Sequence, residues 1–168
     1  MKRKRTTMLN FRAPALVDRK LTYLSGMQCL GQVTVVCFLP YLRIIAAQRI
    51  DHVAEGFLTA GARFLIVACD ERPLHRGWND QTMPCTPIID DLCGRLHRAF
   101  GITGSEPLSR CRSFVIDGTG QLRLQFTHDF TGHDCAAIRE LVTMDRLHFG
   151  ESALGPATVG GKAEHAPI

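Results

Sequence analysis

VTVVCFLPYLRIIAAQRIDHVAEGFLTAGARFLIVACD, residues 33–70, carries the pattern that decides the fold. Its opening run, Val33–Phe38, is short, β-branched and apolar on successive positions, as expected of a central parallel strand covered on both faces. After Pro40, the residues Leu42, Ile45, Ala46, Arg49, Ile50, Val53, Ala54, Phe57 and Leu58 recur at steps of three and four. That spacing predicts one apolar stripe on a helix over about residues 41–60. Gly61 offers its stop, and RFLIVACD, residues 63–70, repeats the strand signal. Residues 33–70 therefore read as a right-handed β-α-β unit with two parallel neighbouring strands.

Downstream, ERPLHRGWNDQTMPCTP has no sustained period and carries Pro73, Gly77, Pro84 and Pro87, with room for a short helix around residues 75–81. Ile88 and Ile89 predict a brief strand, and Leu92, Leu96 and Phe100 a short amphipathic helix over 90–102 that ends near Gly101. SFVIDGTGQLRLQF predicts a hairpin: a strand over 113–116, a turn over Asp117, Gly118, Thr119 and Gly120, then Leu122, Leu124 and Phe126 alternating with polar residues. It would form an antiparallel edge. A last helix is expected over 134–147, packed through Ala137, Ile138, Leu141 and Val142. The order of elements is α/β, a thioredoxin-like mixed β-sheet flanked by helices.

With 168 residues and 45% hydrophobic composition, the chain can bury one ordinary core. One domain over residues 11–149 is expected, between a basic flexible arm (1–10) and a flexible tail (150–168) rich in Gly, Ala and Pro. The formal charge of +4 is matched by Lys2, Arg3, Lys4 and Arg5 alone, so the rest is formally neutral. Such an arm attracts polyanions by counterion release. No basic helix or aromatic platform follows it, so nucleic-acid binding is not expected. The start lacks the apolar core of a secretory signal, and no run reaches the roughly 20 apolar residues that span a bilayer.

Seven cysteines, Cys29, Cys37, Cys69, Cys85, Cys93, Cys111 and Cys135, form an odd, scattered set. It suits a reducing compartment better than a disulfide framework, and a cytoplasmic location is expected. No CxxC and no compact zinc spacing occurs, and no cofactor is implied. His128, Asp129, His133 and Asp134 could ligate a metal, or form a polar loop with Thr131 or Asp134 capping the last helix. The loop reading is preferred. No GxGxxG or phosphate loop follows either parallel strand.

Taken in order, several segments resemble the peroxiredoxin family, in its alkyl hydroperoxide reductase and thiol-specific antioxidant branch. These are Ala13 and Pro14 in FRAPAL, Gly31 before the first central strand, and Phe38 with Pro40 at its end. Ala68, Cys69, Asp70, His75 and Trp78 follow the second strand, then come PCTPIIDD, Phe100 with Gly101, and SFVIDGTG. The resemblance runs from about Phe11 to Leu147 and implies the peroxiredoxin variant of the thioredoxin fold.

The family signature Pro-x-x-x-Thr/Ser-x-x-Cys is where the chain departs. Counting from Pro40 puts Ile44 at the hydroxyl position and Ala47 at the peroxidatic position. Neither side chain can hydrogen-bond peroxide or attack it. The family's Arg, three residues before the hairpin Phe, is replaced by Cys111, with Arg110 and Arg112 beside it. The resemblance thus implies a peroxiredoxin-like protein lacking the peroxidatic cysteine, a non-catalytic binding or structural subunit. Its old pocket rim, apolar through Tyr41, Leu42, Ile44 and Ile45, would face a second copy or another protein.

The alternative is a thiol-dependent peroxidase or oxidoreductase using a displaced cysteine. Cys37 and Cys69 lie near the C-terminal ends of neighbouring strands, where open α/β sheets bind ligands. If Cys111 faces the same place, three thiols converge, with Arg110, Arg112 and Arg43 as nearby cations. Packing roles are the simpler reading for Cys37 and Cys69, because free Cys is among the most buried residue types. Cys29, Cys85, Cys93 and Cys135 are expected to be bystanders. His75 could be a general base, but Trp78 reads as a packing anchor and Asp70 as a cap.

Overall fold

The computed structural model describes residues 7–40, 46–68, 84–103 and 109–149. Strands β1 (Arg12–Val17) and β2 (Lys20–Ser25) form a hairpin whose turn residues Asp18 and Arg19 have φ of 48° and 64°. Two successive left-handed residues match the right-handed twist of the strands they join. A single 3-10 turn over Gly26–Cys29 leads into β3 (Val33–Phe38), which pairs in parallel with β4 (Ala62–Ala68) through helix α1 (Ala47–Thr59). The β-α-β unit is therefore present, with β3 on its expected residues.

Three further strands complete the sheet: β5 (Ile88–Asp90), β6 (Cys111–Ile116) and β7 (Leu122–His128). The order is β2-β1-β5-β4-β3-β6-β7, with β5 parallel to β4 and β6 antiparallel to β3. The β6–β7 hairpin forms the antiparallel edge that its sequence predicts. Its turn is tied back by Met8, whose amide donates to the Gly120 carbonyl at 2.9 Å, and Gly120 has φ 83°. Leu9 is fully buried beneath it, so the described part of the arm joins the fold. No described helix is long and apolar enough to cross a membrane.

The strands alternate between two cores, which is why β3 and β4 are apolar at every position but Thr34 and Arg63. On one face Val35, Cys37, Ile66 and Val115 pack against Ile50, Val53 and Phe57 of α1. Helix α3 (Gly132–Phe149) joins that face through Cys135, Ile138 and Val142. On the other, Val36, Phe38, Leu65, Val67 and Phe114 pack against Leu96 and Phe100 around the short helix α2 (Arg95–Ala99).

Several helical expectations are corrected. Helix α1 begins at Ala47, since Ala46 is an extended N-cap residue with ψ 142°, and Leu58 is 68% exposed. One residue beyond Phe57 is a turn of about 100° around the axis, enough to carry Leu58 off the buried stripe. Ala137 and Leu141 likewise point out of α3, where Cys135 is inward instead. The third helix is longer than expected at its start, because the Thr131 hydroxyl accepts the Asp134 amide at 3.0 Å and so caps it.

Helix α2 is shorter than 90–102 because Asp90 ends β5 and Gly94 turns left-handed at φ 65°. The Asp91 carboxylate then accepts the amides of Leu96 and His97 at 3.0 and 2.9 Å. Leu92 is consequently outside the helix and half exposed. The short helix expected around residues 75–81, and the residues Asp70, His75 and Trp78, lie outside the described residues.

Candidate functional site

A pocket of about 300 Å³ opens at the C-terminal end of β3. Its wall is formed by Pro40, Arg49 of α1, Ser109, Arg110 and Cys111 entering β6, and Asp129 and Phe130 leaving β7. Four separate elements thus meet where a parallel strand ends, the usual position of a ligand site in an open α/β sheet.

Ala47 is the first residue of α1, with its methyl group buried. A helix start gathers unpaired amides and a positive partial charge that would stabilise a thiolate. The side chain there has no atom to use it. Ile44, Arg43, Tyr41, Leu42, Ile45 and Cys69 all lie outside the described residues.

Cys111 is buried at 3% exposure yet lines the pocket, and Cys37 is fully buried beside it. In the β3–β6 ladder Cys37 stands opposite Ser113, so Cys111 is its diagonal neighbour on the same face. Diagonal Cα spacing across an antiparallel pair is about 7–8 Å, beyond the roughly 4.4–6.8 Å of a disulfide, so the ladder does not favour a disulfide between them. The neighbouring Cys37 side chain holds the Cys111 thiol below its ordinary pKa, outweighing burial and the Asp129 carboxylate, and Arg110 adds to the effect. Burial, then the neighbouring Cys111, pushes Cys37 well up.

Cys135 of α3, a residue with no signal in the sequence beyond helical spacing, is the third thiol of this cluster. Burial raises it to about 11, and the charge of Cys111 adds to the rise. The sequence-based trio was Cys37, Cys69 and Cys111; the described residues bring together Cys37, Cys111 and Cys135. Cys29 packs in the opposite core, and Cys85 and Cys93 are exposed. All six described cysteines are unbridged thiols.

Arg110 reaches the pocket but is held outward by Asp129, donating from Nε at 2.7 Å and Nη2 at 3.1 Å. The carboxylate raises the guanidinium pKa by these bonds. Arg112 alternates to the other face of β6, opposite Phe38 in the ladder. Arg49 donates to the Phe130 carbonyl at 2.8 Å.

Phe130 is buried with φ 59°, an uncommon conformation for an aromatic residue. Its amide donates to Nδ1 of His128 at 3.1 Å, and His128 Nε2 lies 2.8 Å from the Ser113 hydroxyl. Burial lowers the His128 pKa despite the carboxylates of Asp134 and Asp129, so the ring is neutral near pH 7. Sequence reasoning grouped His128, Asp129, His133 and Asp134 as possible ligands, yet the described residues contain no group of three or more such side chains arranged to hold a metal. Ser113 was missed altogether. A lone serine in an apolar strand is the only signal it gives.

No family model and no curated protein matches the chain. Solved structures do. Enterococcus faecalis AhpC superposes with a TM-score of 0.70 at 17% identity, over 90% of this chain and 99% of that one. Mycobacterium bovis AhpC gives 0.67 at 15% identity, over 94% and 96%. Xanthomonas campestris peroxiredoxin Q gives 0.64 at 17%, over 82% and 93%. At such identities the likeness establishes the fold alone, a thioredoxin-like mixed sheet flanked by helices.

Proposed function

We propose that the chain is a peroxiredoxin-like protein lacking the peroxidatic cysteine, a non-catalytic binding or structural subunit that associates with a second copy of itself or with another protein. The observation that carries this reading is Ala47: a buried methyl group occupies the first position of α1, where a helix start could activate a thiol. Residues 11–149 form its domain, joined by Met8 and Leu9 of the arm, and the unbridged cysteines fit a reducing, cytoplasmic setting.

A second reading, a thiol-dependent peroxidase or oxidoreductase centred on Cys111, is favoured by one observation. Cys111 lines the pocket, with Cys37 behind it and Arg110 beside it. Consumption of hydrogen peroxide and cumene hydroperoxide under excess dithiothreitol tests both. A rate no higher than that of the alkylated protein supports the binding subunit; a saturable, thiol-dependent rate lost in Cys111→Ser overturns it in favour of the second reading. Light scattering showing a lone monomer at micromolar concentration would remove self-association.

A further inference from the structure

We infer that His128 is an acid-sensitive latch on the wall of the pocket: its neutral Nδ1 holds the Phe130 amide, and protonation of that nitrogen releases the turn between β7 and α3. The latch works whichever reading of the pocket holds, since it uses neither Cys111 nor Ala47.

Geometry fixes which ring nitrogen carries the proton. The Phe130 amide can only donate, and it lies 3.1 Å from Nδ1, so Nδ1 is an acceptor and the ring hydrogen sits on Nε2. Nε2 in turn lies 2.8 Å from the Ser113 hydroxyl oxygen, which accepts. Charging the ring leaves the Nε2 bond intact, because that nitrogen donates in both forms. At Nδ1 it sets one N–H against another, and the bond to Phe130 is lost.

That bond closes a tight turn. His128 ends β7, and its ring takes the amide two residues on, as an Asn or Asp side chain does in an Asx turn. Phe130 is left-handed at φ 59°, and its ring lies against the imidazole with centroids 6.3 Å apart. A buried aromatic residue keeps such a backbone only while its neighbours hold it. Arg49 of α1 holds its carbonyl and His128 its amide. Asp129 and Phe130 both belong to the pocket wall, and the Asp129 amide donates to the Asp134 carboxylate at 3.1 Å in the first turn of α3. Release of the turn therefore loosens the pocket wall and the start of that helix together.

The titratable and charged groups facing His128 are Cys111, its ladder partner on β6, with Arg110 before it, Asp129 beside it, Asp134 and Cys135 from α3, and Arg49 of α1 behind Phe130. Burial disfavours the charged ring and Arg110 adds to that, against the opposing pull of Asp134 and Asp129. The closed turn thus keeps the ring neutral. A base held neutral by closure makes closure strongest above its ordinary value of about 6.5 and progressively weaker as pH falls below it.

The test is amide hydrogen exchange of the full chain by NMR between about pH 8 and pH 5, expressed as protection factors so that the intrinsic dependence of exchange on pH divides out. Protection of the Phe130 amide is expected to fall on acidification, with the same midpoint as the titration of the His128 ring. The Val115 amide, on a strand paired on both sides, keeps its protection. His128→Asn keeps an acceptor for the Phe130 amide and removes the titration, so protection there becomes flat over the same range. His128→Ala removes the acceptor and leaves Phe130 poorly protected at every pH. Joint loss at Phe130 and Val115 marks unfolding of the whole domain and overturns the inference, as do a flat wild-type profile and a pH-dependent loss that survives in His128→Asn. If either variant fails to fold, the wild-type profile decides: separate midpoints for Phe130 protection and the His128 ring overturn the latch.

Discussion

Nη2 of Arg49 donates to the Phe130 carbonyl at 2.8 Å, tying the first turn of α1 to the loop that leaves β7. The bond spans the pocket wall, and it holds Phe130 at φ 59° with its ring buried in the α1–α3 core. Left-handed geometry in a non-glycine residue costs on the order of 1–3 kcal/mol and persists where neighbours over-determine it. Here the neighbours are Arg49 on one side and His128 on the other.

Arg49→Ala is expected to lower unfolding stability by about 1 kcal/mol, near the mean for one intramolecular hydrogen bond. Urea unfolding measures it. A midpoint equal to that of the wild type would show that Phe130 needs no such anchor.

Asp129→Asn should speed labelling of Cys111. The carboxylate raises that thiol's pKa, whereas Arg110 lowers it, so neutralising Asp129 moves the balance towards thiolate. The labelling midpoint of Cys111 is expected to fall. If it rises, the outward pull of Asp129 on Arg110 is not what limits the cation's effect.

Asp91 organises the start of α2, accepting two backbone amides and the His97 Nδ1 hydrogen at 2.7 Å. Asp91→Ala is expected to cost about 2 kcal/mol, combining a lost cap with donors left unpaired. Burial pushes this carboxyl up, but hydrogen bonds from the His97 side chain and from the amides of His97 and Leu96 outweigh it, and its pKa is lowered. A depressed carboxylate contributes fully above its unfolded value of about 3.9 and loses that contribution as pH falls through the folded value. The wild-type advantage should therefore be constant near neutrality and shrink below about pH 4. An advantage that grows on acidification would contradict the assignment.

Phe38 is fully buried at the centre of an aromatic cluster, with ring centroids of His97, Phe100 and Phe114 at 4.7, 5.1 and 5.5 Å. Phe38→Ala should cost about 3–5 kcal/mol, the range for emptying such a site. A loss under 1 kcal/mol in chemical denaturation would mean that the cluster collapses to fill the void.

Ala47→Cys puts a thiol at the first position of α1. The helix terminus is expected to bring its labelling midpoint below the ordinary value of about 8.5. A midpoint at or above that value would show that this helix start does not favour a thiolate.

Apolar runs and turn residues marked out the sheet's interior and its late edge before any coordinates were known. VTVVCF and RFLIVA read as strands covered on both faces, because every position but Thr34 and Arg63 is apolar, and FVIDGTGQLRLQF had the turn residues and alternation of a hairpin. Periodicity located α1 and α3, although it misjudged which neighbours of Phe57 and Ile138 face inward, since adjacent positions on a helix differ by only about 100°. That Ala47 carries no thiol is plain from the sequence, whereas its place at the start of α1 comes from the fold. The pairing of Cys37 with Cys111, the inward turn of Cys135 and the part played by Ser113 and His128 were decided by tertiary structure alone. Cys37, Cys111, Ser113 and His128 depend on the register of β3 against β6 and of β6 against β7, where a shift of one residue would send those side chains to the opposite core, whereas Cys135 is turned inward by the packing of α3.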